Sequence, residues 1–113
     1  MPTTYKILGQ SNPSATTNTT VYTVPSSTSS VISTVTIANQ AGTSGSYRII
    51  AQKSADVSAT ILAKQYLAYD VAIAANDTTA LTLGISLETG DAIKVYCSSA
   101  SMSVNIFGSE ITA

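Results

Sequence analysis

The chain has 113 residues, of which 44% are hydrophobic and only 10% are charged. This length suits one domain with a modest core, and the hydrophobic fraction excludes an intrinsically disordered chain. The net charge is −1 and the five Lys and Arg residues are scattered. We therefore expect no binding of nucleic acid through phosphate neutralisation.

No segment approaches the roughly 20 apolar residues that a membrane span requires. The first ten residues, MPTTYKILGQ, lack the apolar run of a signal peptide. We therefore expect synthesis in the cytoplasm and no contact with a membrane. Serine and threonine, 17 of each, take the surface places that charged residues usually occupy. This composition favours strands, because Ser and Thr compete poorly for helix interiors.

The N-terminal part combines strand patterns with a polar stretch. Thr4–Leu8 and residues 21–24 predict two short strands, whereas residues 9–20, GQSNPSATTNTT, are polar. We therefore divide the chain into an N-terminal arm or edge segment, residues 1–20, and a β-sandwich domain, residues 21–113.

The clearest strand pattern of the first half is VISTVTIAN, residues 31–39. Its alternation predicts a half-buried strand in which Val31, Val35 and Ile37 share a face. Residues 46–53, SYRIIAQK, predict the next strand. The turn-rich segment between them predicts that the two strands pair as an antiparallel hairpin with a long loop.

Residues 54–64, SADVSATILAK, have some helical character because Val57 and Ile61 lie four apart. The surrounding strand pattern nevertheless favours a segment without a full helix. Residues 65–73 then alternate again, and they predict a shared face formed by Leu67, Tyr69, Val71 and Ile73.

The segment LTLGISLETGDAIKVYC, residues 81–97, contains two apolar rows joined by an acidic corner. Gly84 within the first row predicts a bulge or a bend. The corner, residues 88–91, predicts a tight turn. The first row, predicted to face the core, is Leu81, Leu83, Ile85 and Leu87; the facing row on the next strand is Ile93, Val95 and Cys97.

The C-terminal residues predict one more strand. Residues 92–98 and 101–107 are expected to pair as a hairpin across Ser99 and Ala100, with Met102, Val104 and Ile106 on one face. Seven to nine short strands, with a turn signal about every ten residues, predict an all-β fold. We expect a single small antiparallel β-sandwich of the immunoglobulin-like or jelly-roll type.

The sequence offers little material for catalysis. It contains no histidine, which removes the commonest general base and most zinc sites. Cys97 is the single cysteine; it precludes an internal disulfide, and its place in an alternating strand predicts a buried structural thiol. We therefore predict a protein that is not an enzyme, with no catalytic, cofactor-binding or metal-binding residues and no cofactor.

Two predicted turns contain carboxylates of the kind that bind metal ions. Glu88 and Asp91 flank Thr89 and Gly90, and both carboxylates could face a cation. Calcium prefers six to eight oxygen ligands, so two carboxylates favour a turn in which Gly90 has a positive φ and Asp91 binds nearby backbone. The same reasoning makes Asp77, in Asn76-Asp77-Thr78, a turn residue before a strand.

Six tyrosines are spread over most of the predicted strands, and tryptophan is absent. Clustered tyrosines could stack on sugar rings or anchor a protein contact. The alternative, which we favour, is that they fill the core and the sheet edges with their hydroxyls at the surface. These residues are Tyr5, Tyr22, Tyr47, Tyr66, Tyr69 and Tyr96.

Several longer stretches carry a family resemblance that spans nearly the whole chain. They are ILGQSNP, VYTVPSSTSSVISTVTIAN, YLAYDVAIAANDTTALTLGISLETGDAIKVY and FGSEIT. Together they resemble small virion proteins of tailed phages, including cyanophages. The resemblance implies a β-sandwich that decorates capsids or forms part of tails and fibres, and it brings no catalytic residue with it.

We therefore expect a structural protein that is made in the host cytoplasm and resides in the virion. The leading hypothesis is a capsid decoration (cement) protein that binds the major capsid protein or other virion proteins and forms homo-oligomers. Its polar N-terminal segment, up to about Ser30, could be an arm that orders on the capsid. A tail, collar or fibre component is one alternative. A carbohydrate-binding β-sandwich module that uses Tyr66 and Tyr69, with Asp77 or Asp91, is another.

Overall fold

The computed structural model describes residues 2–112, which form eight antiparallel strands in two four-stranded sheets. The strands are β1 (Thr3–Ser11), β2 (Thr19–Thr23), β3 (Thr28–Asn39), β4 (Gly45–Gln52), β5 (Tyr66–Ile73), β6 (Thr78–Leu87), β7 (Ala92–Cys97) and β8 (Met102–Thr112). The first sheet has the order β1-β8-β3-β6, and the second has the order β2-β7-β4-β5. The predicted all-β sandwich is therefore confirmed.

Almost every connection passes from one sheet to the other. Among the described residues, β4 and β5 are the only consecutive strands that pair with each other. Two four-stranded sheets with this strand order form a jelly roll. Of the two architectures that the sequence predicted, the strand order therefore matches the second.

Both predicted hairpins are wrong. β3 lies in the first sheet and β4 in the second, so residues 40–44 cross between the sheets. β7 and β8 are divided in the same way, and residues 98–101 make that crossing. The turn residues mark where a strand ends, but they do not specify whether the chain folds back within its sheet or moves to the opposite one.

The segment between β4 and β5 contains no long helix. It forms two short 3-10 helices, Ser54–Asp56 and Ala63–Gln65. The Lys94 ammonium group on β7 donates to the carbonyl of Val57 over 2.8 Å, which ties this segment to the second sheet. Ile50 pairs with Lys94 across the strands and is fully buried.

The core lies between the two sheets and confirms two of the predicted rows. Ile93, Val95 and Cys97 on β7 are fully buried, as are Met102, Val104 and Ile106 on β8. Tyr47 and Ile49 on β4 and Val35 and Ile37 on β3 complete the centre of the same cluster. Burying these apolar side chains is the main favourable term in the folding of a domain of this kind.

Bulges interrupt the pairing of three strands in the first sheet. The pairing register shifts between Ile7 and Gly9 on β1, between Ile32 and Thr34 on β3, and between Ile85 and Thr82 on β6. Gly84 has the positive φ of 62° that such a bulge accommodates, so the predicted bulge is confirmed. The shifts on β1 and β3 lie opposite residues 106–108 of β8, and the shift on β6 lies opposite that on β3.

These shifts overturn parts of the predicted rows. Val31 is 38% exposed while Ile32 is buried, because the bulge at Ser33 reverses which residues of β3 face the core. Leu83 is 42% exposed and does not join the inner row of β6. On β5, Asp70 has a positive φ of 49°, and of the four residues predicted to share a face only Ile73 is buried.

The N-terminal segment takes part in the sheets. Residues 3–11 form β1, which pairs with β8 along its length and occupies an edge of the first sheet. The side-chain amide of Asn12 donates to the carbonyls of Ala100 and Met102, and the Thr16 amide donates to the carbonyl of Cys97 over 2.8 Å. Residues 12–16 are therefore attached to the ends of β7 and β8.

Candidate functional site

The acidic corner that links β6 and β7 is a structural turn. Gly90 has a φ of 86°, and a Cβ atom at this position would lie 2.7 Å from the Cβ of Ser54. The two carboxylate oxygens of Asp91 accept hydrogen bonds from the amides of Ser54 and Glu88, each over 3.0 Å. This geometry confirms the predicted turn, in which backbone amides donate to both oxygens of the buried Asp91 carboxylate.

The other acidic turn has the same character. The Asp77 carboxylate accepts a hydrogen bond from the amide of Thr78 over 2.8 Å, and Asn76 before it has a positive φ of 54°. Within residues 2–112, no group of three or more Cys, Asp or Glu side chains is arranged to hold a metal ion. In both turns the aspartate accepts hydrogen bonds from backbone amides.

Cys97 is fully buried between the sheets, as predicted. Burial in apolar surroundings raises the pKa of its thiol to about 11 because the thiolate would lose its hydration. A thiol with this pKa is protonated at neutral pH, so it packs as a small apolar side chain.

A polar network crosses the sandwich where β1, β2, β3 and β8 meet. The Tyr22 hydroxyl donates to the Glu110 carboxylate over 2.6 Å, and the Ser30 hydroxyl lies 2.5 Å from the same phenol oxygen. The Lys6 ammonium group lies 2.6 Å from the other Glu110 oxygen. The network thus joins the edge strand β1 to both sheets.

The charges of this network are set by its surroundings. The Lys6 ammonium group and then the Tyr22 hydroxyl stabilise the Glu110 carboxylate, and the pKa of Glu110 is lower than usual. Burial and the neighbouring carboxylate raise the pKa of Tyr22 to about 12. At neutral pH the group therefore holds one ammonium–carboxylate pair and one neutral phenol, which suits structural support of β1.

The outer face of the first sheet carries exposed apolar side chains. We call this surface the apolar face and define it by Tyr5 and Ile7 on β1, Val31 on β3 and Phe107 on β8. Tyr5 is 83% exposed and Ile7 is 51% exposed. With Ser33 and Ser109, the four residues line one shallow depression. Lys6 at its border is paired with Glu110, so the face is almost free of uncompensated charge.

The outer face of the second sheet carries a different group, which we call the tyrosine–arginine cluster. It consists of Arg48 on β4, Tyr66, Tyr69 and Asp70 on β5, and Tyr96 on β7. The guanidinium carbon of Arg48 lies 4.3 Å from the ring centre of Tyr69 and 4.3 Å from that of Tyr96. These are two cation–π contacts made by one cation.

The cluster is completed by an ion pair and an aromatic contact. Arg48 donates to both carboxylate oxygens of Asp70, from Nε over 2.6 Å and from Nη2 over 3.1 Å. This fork raises the pKa of Arg48 and lowers that of Asp70. The rings of Tyr66 and Tyr69 meet edge to face with centres 4.8 Å apart.

The structure therefore divides the six tyrosines into three groups. Tyr22 and Tyr47 lie in the core, which agrees with the favoured prediction for these two. Tyr5 stands on the apolar face. Tyr66, Tyr69 and Tyr96 gather on the second sheet; two of them, Tyr66 and Tyr69, are the residues that the carbohydrate hypothesis named.

No prediction from the sequence covered the charged residues of the Tyr22–Glu110 network or of the tyrosine–arginine cluster. Asp70 lies inside the strand pattern YLAYDVAI, where aspartate is disfavoured, and this mismatch was a usable signal. Arg48 and Glu110 gave no comparable signal, because their partners Asp70, Tyr96, Tyr22 and Lys6 lie far away in sequence. Neither Asp77 nor Asp91, the carboxylates that the carbohydrate hypothesis named, belongs to the tyrosine–arginine cluster.

Comparisons of the chain with protein-family models, with curated proteins and with solved structures found no match. Across residues 2–112, the structure contains no helix with the length and apolar character needed to cross a membrane.

Proposed function

We propose that this chain is a non-enzymatic structural protein of a phage particle, namely a capsid decoration protein. It binds the major capsid protein and further copies of itself. The observation that carries the proposal is the apolar face, where Tyr5 and Ile7 stand largely in water beside Val31 and Phe107. Contiguous apolar side chains on a small domain mark a surface that another protein covers.

The chemistry of the apolar face favours a protein partner. Tyr and Phe are enriched at the centres of protein interfaces, where burial of their large rings supplies much of the binding energy. Because Lys6 is paired with Glu110, a partner that covers the apolar face removes little unpaired charge from water. The hydroxyls of Ser33 and Ser109 within the depression offer hydrogen bonds at low desolvation cost.

The sheet edges support the same proposal. β6 is an edge strand of ten residues without a charged side chain or a proline. Edge strands of independent monomers are usually guarded by charge, proline or a covering segment. The bulge at Gly84 interrupts the edge of β6, yet Leu83 beside it remains 42% exposed. A neighbouring subunit in a protein shell would cover this edge.

The jelly-roll architecture is compatible with the proposal without deciding it. Jelly rolls occur in viral capsid domains and in lectins, and function belongs to the surfaces that a fold carries. The resemblance to virion proteins of tailed phages adds the particle as the place of action. A tail, collar or fibre component is the alternative within the same class of particle.

The proposal is tested by binding to capsids. Purified protein is mixed with phage heads that lack it, and the bound fraction is measured by co-sedimentation. A variant with Tyr5→Ser and Ile7→Ser is expected to lose most of the binding, whereas Tyr69→Ser on the opposite face serves as the matched control and retains it. Equal binding by wild type and the Tyr5/Ile7 variant, or no binding by either, would overturn the proposed role of the apolar face.

The location is tested separately. Immunogold labelling of intact particles in the electron microscope is expected to mark the heads. Gold on tails or fibres would contradict the decoration hypothesis and support a tail, collar or fibre component. Absence of the protein from purified particles would refute both hypotheses. Sedimentation velocity of the free protein, compared with the Tyr5/Ile7 variant, measures whether the same face also mediates contact between copies.

A further inference from the structure

The tyrosine–arginine cluster is built by an unusual backbone conformation. Asp70 adopts a left-handed φ of 49° within β5, and the pairing with β4 shifts register on this stretch, between Tyr47 and Ile49. The irregularity allows two consecutive side chains, Tyr69 and Asp70, to contact Arg48 together. In a regular strand, consecutive side chains point to opposite faces.

The cluster is also accessible. Tyr69 is 57% exposed, and the side chain of Asp70 is 44% exposed. A ligand could therefore reach an aromatic ring and a carboxylate at the same place on the sheet.

The polar groups of the cluster keep unused hydrogen-bonding capacity. A guanidinium group has five N–H donors, and Arg48 gives one from Nε and one from Nη2 to Asp70. The Asp70 carboxylate accepts these two bonds and has further lone pairs. The pair thus presents donors beside acceptors at fixed positions, which matches two neighbouring hydroxyl groups that each donate and accept.

The charges of the cluster select among ligands. The guanidinium group of Arg48 already contacts the rings of Tyr69 and Tyr96, so a cationic ligand on the exposed part of the Tyr69 ring would approach a group of the same charge. The positive charge of Arg48 is in turn compensated by Asp70, so an anionic ligand gains little. A neutral ligand with both hydroxyl groups and apolar C–H surfaces fits this arrangement best.

From these observations we propose that the tyrosine–arginine cluster binds neutral oligosaccharides built from pyranose sugars. The C–H face of a sugar ring packs against Tyr69, while vicinal hydroxyls bond to Arg48 and Asp70. Because the cluster and the apolar face lie on opposite sheets, a particle covering the apolar face would leave the cluster directed to solvent. The sugar site does not depend on the proposed capsid binding.

The experiment uses the isolated full-length protein. Fluorescently labelled protein is applied to an array of neutral and sialylated oligosaccharides, and the neutral sugar with the strongest signal is then titrated by NMR. We expect neutral sugars to bind and the aromatic resonances of Tyr69 and Tyr96 to shift. Tyr69→Ala is expected to weaken binding by about tenfold or more, whereas Tyr5→Ala, an exposed tyrosine on the other sheet, leaves it unchanged.

Circular dichroism and thermal unfolding verify that both variants are folded before binding is compared. An array on which the wild-type protein binds nothing overturns the proposal, as does binding confined to sialylated sugars. Equal affinity of wild type and Tyr69→Ala, or resonance shifts that map to the apolar face instead, overturns it as well. Loss of sugar binding with intact capsid binding separates this site from the proposed decoration role.

Discussion

The outer faces of the two sheets use similar side chains in opposite ways. On the apolar face, Tyr5 is 83% exposed and its neighbours are the aliphatic chains of Ile7 and Val31. On the second sheet, Tyr69 contacts a cation that is itself bound by Asp70. A face whose large groups satisfy one another is suited to remain in water, whereas exposed apolar groups gain free energy when a partner covers them.

The difference also depends on the interior. Both faces belong to sheets that pack on one shared hydrophobic core. A substitution on one surface therefore reports on that surface alone only if the core stays folded.

The largest effect is expected from truncating the shared core. Ile106 is fully buried at the level where the bulges of the first sheet meet, so Ile106→Ala should lower the free energy of unfolding by about 2–5 kcal/mol. Urea denaturation followed by circular dichroism measures it. Ile49→Ala beneath the second sheet should cost a similar amount; if only one of the two variants were destabilised, the sheets would not share a core.

The next effect concerns the network that anchors β1 and hence the apolar face. Glu110→Gln removes the charge that pairs with Lys6 and weakens the acceptor for the Tyr22 hydroxyl. We expect a loss of roughly 1–3 kcal/mol in the free energy of unfolding. Hydrogen exchange of the β1 amides should become faster, while exchange in β5 stays unchanged; uniform acceleration in both strands would show that the network is not specific to β1.

The same network predicts a pH dependence. The pKa of Glu110 is lowered in the folded protein from an ordinary value of 4.5, so the unfolded chain binds its proton first as the pH falls. The stabilisation is complete above pH 4.5 and is lost as the pH falls towards the folded pKa. Asp70, whose pKa is also lowered, acts in the same direction. Denaturation at several pH values measures this, and the free energy of unfolding should depend less on pH in Glu110→Gln than in the wild type. An equal pH dependence in the two proteins would assign the effect to other carboxylates.

A smaller effect separates the two faces directly. Tyr69→Ala removes the contacts of its ring with Arg48 and Tyr66, so it should lower the Tm more than Tyr5→Ala does. A double-mutant cycle between Tyr69→Ala and Arg48→Met should show coupling. The equivalent cycle between Tyr5→Ala and Arg48→Met joins opposite sheets and should show none. Equal Tm losses for the two single variants would contradict the distinction between the faces.

The smallest effect is expected at Leu83. The sequence pattern placed this residue in the core, where Leu83→Ala would cost several kcal/mol. Because the side chain is 42% exposed at the bulge, the loss should be less than about 1 kcal/mol. Chemical denaturation measures it beside Leu87→Ala, a buried leucine of the same strand. Equal losses for the two would mean that Leu83 is covered in solution.

Some features of the molecule followed from short stretches of sequence. The rows Ile93–Cys97 and Met102–Ile106 are buried as their alternation predicted, since strand side chains have a period of two residues. The corner at residues 88–91 was predictable because its residue types favour a turn. Gly90, which has no side chain, tolerates the positive φ of the turn, and the Asp91 carboxylate accepts from the amide of Glu88 within the corner. Its second bond, from the amide of Ser54, joins residues 37 positions apart and was not predicted.

Other features escaped the sequence analysis because they depend on strand register. One extra residue at Ser33 reverses the inner face of β3 and moves Val31 to the outside. The expected hairpins failed because a polar turn carries no information about which sheet the next strand joins. The tyrosines were visible in the sequence, whereas their gathering around Arg48 was not.

The sequence by itself determined that the chain forms strands, where most of them lie, and which of several rows are buried, because these properties arise from side chains that are close neighbours in the chain. The tertiary structure alone decided the jelly-roll strand order, the apolar face and the tyrosine–arginine cluster. Each of these joins residues from strands far apart in sequence. Their meeting depends on register, bulges and crossings between sheets, which only the packing of the whole core fixes.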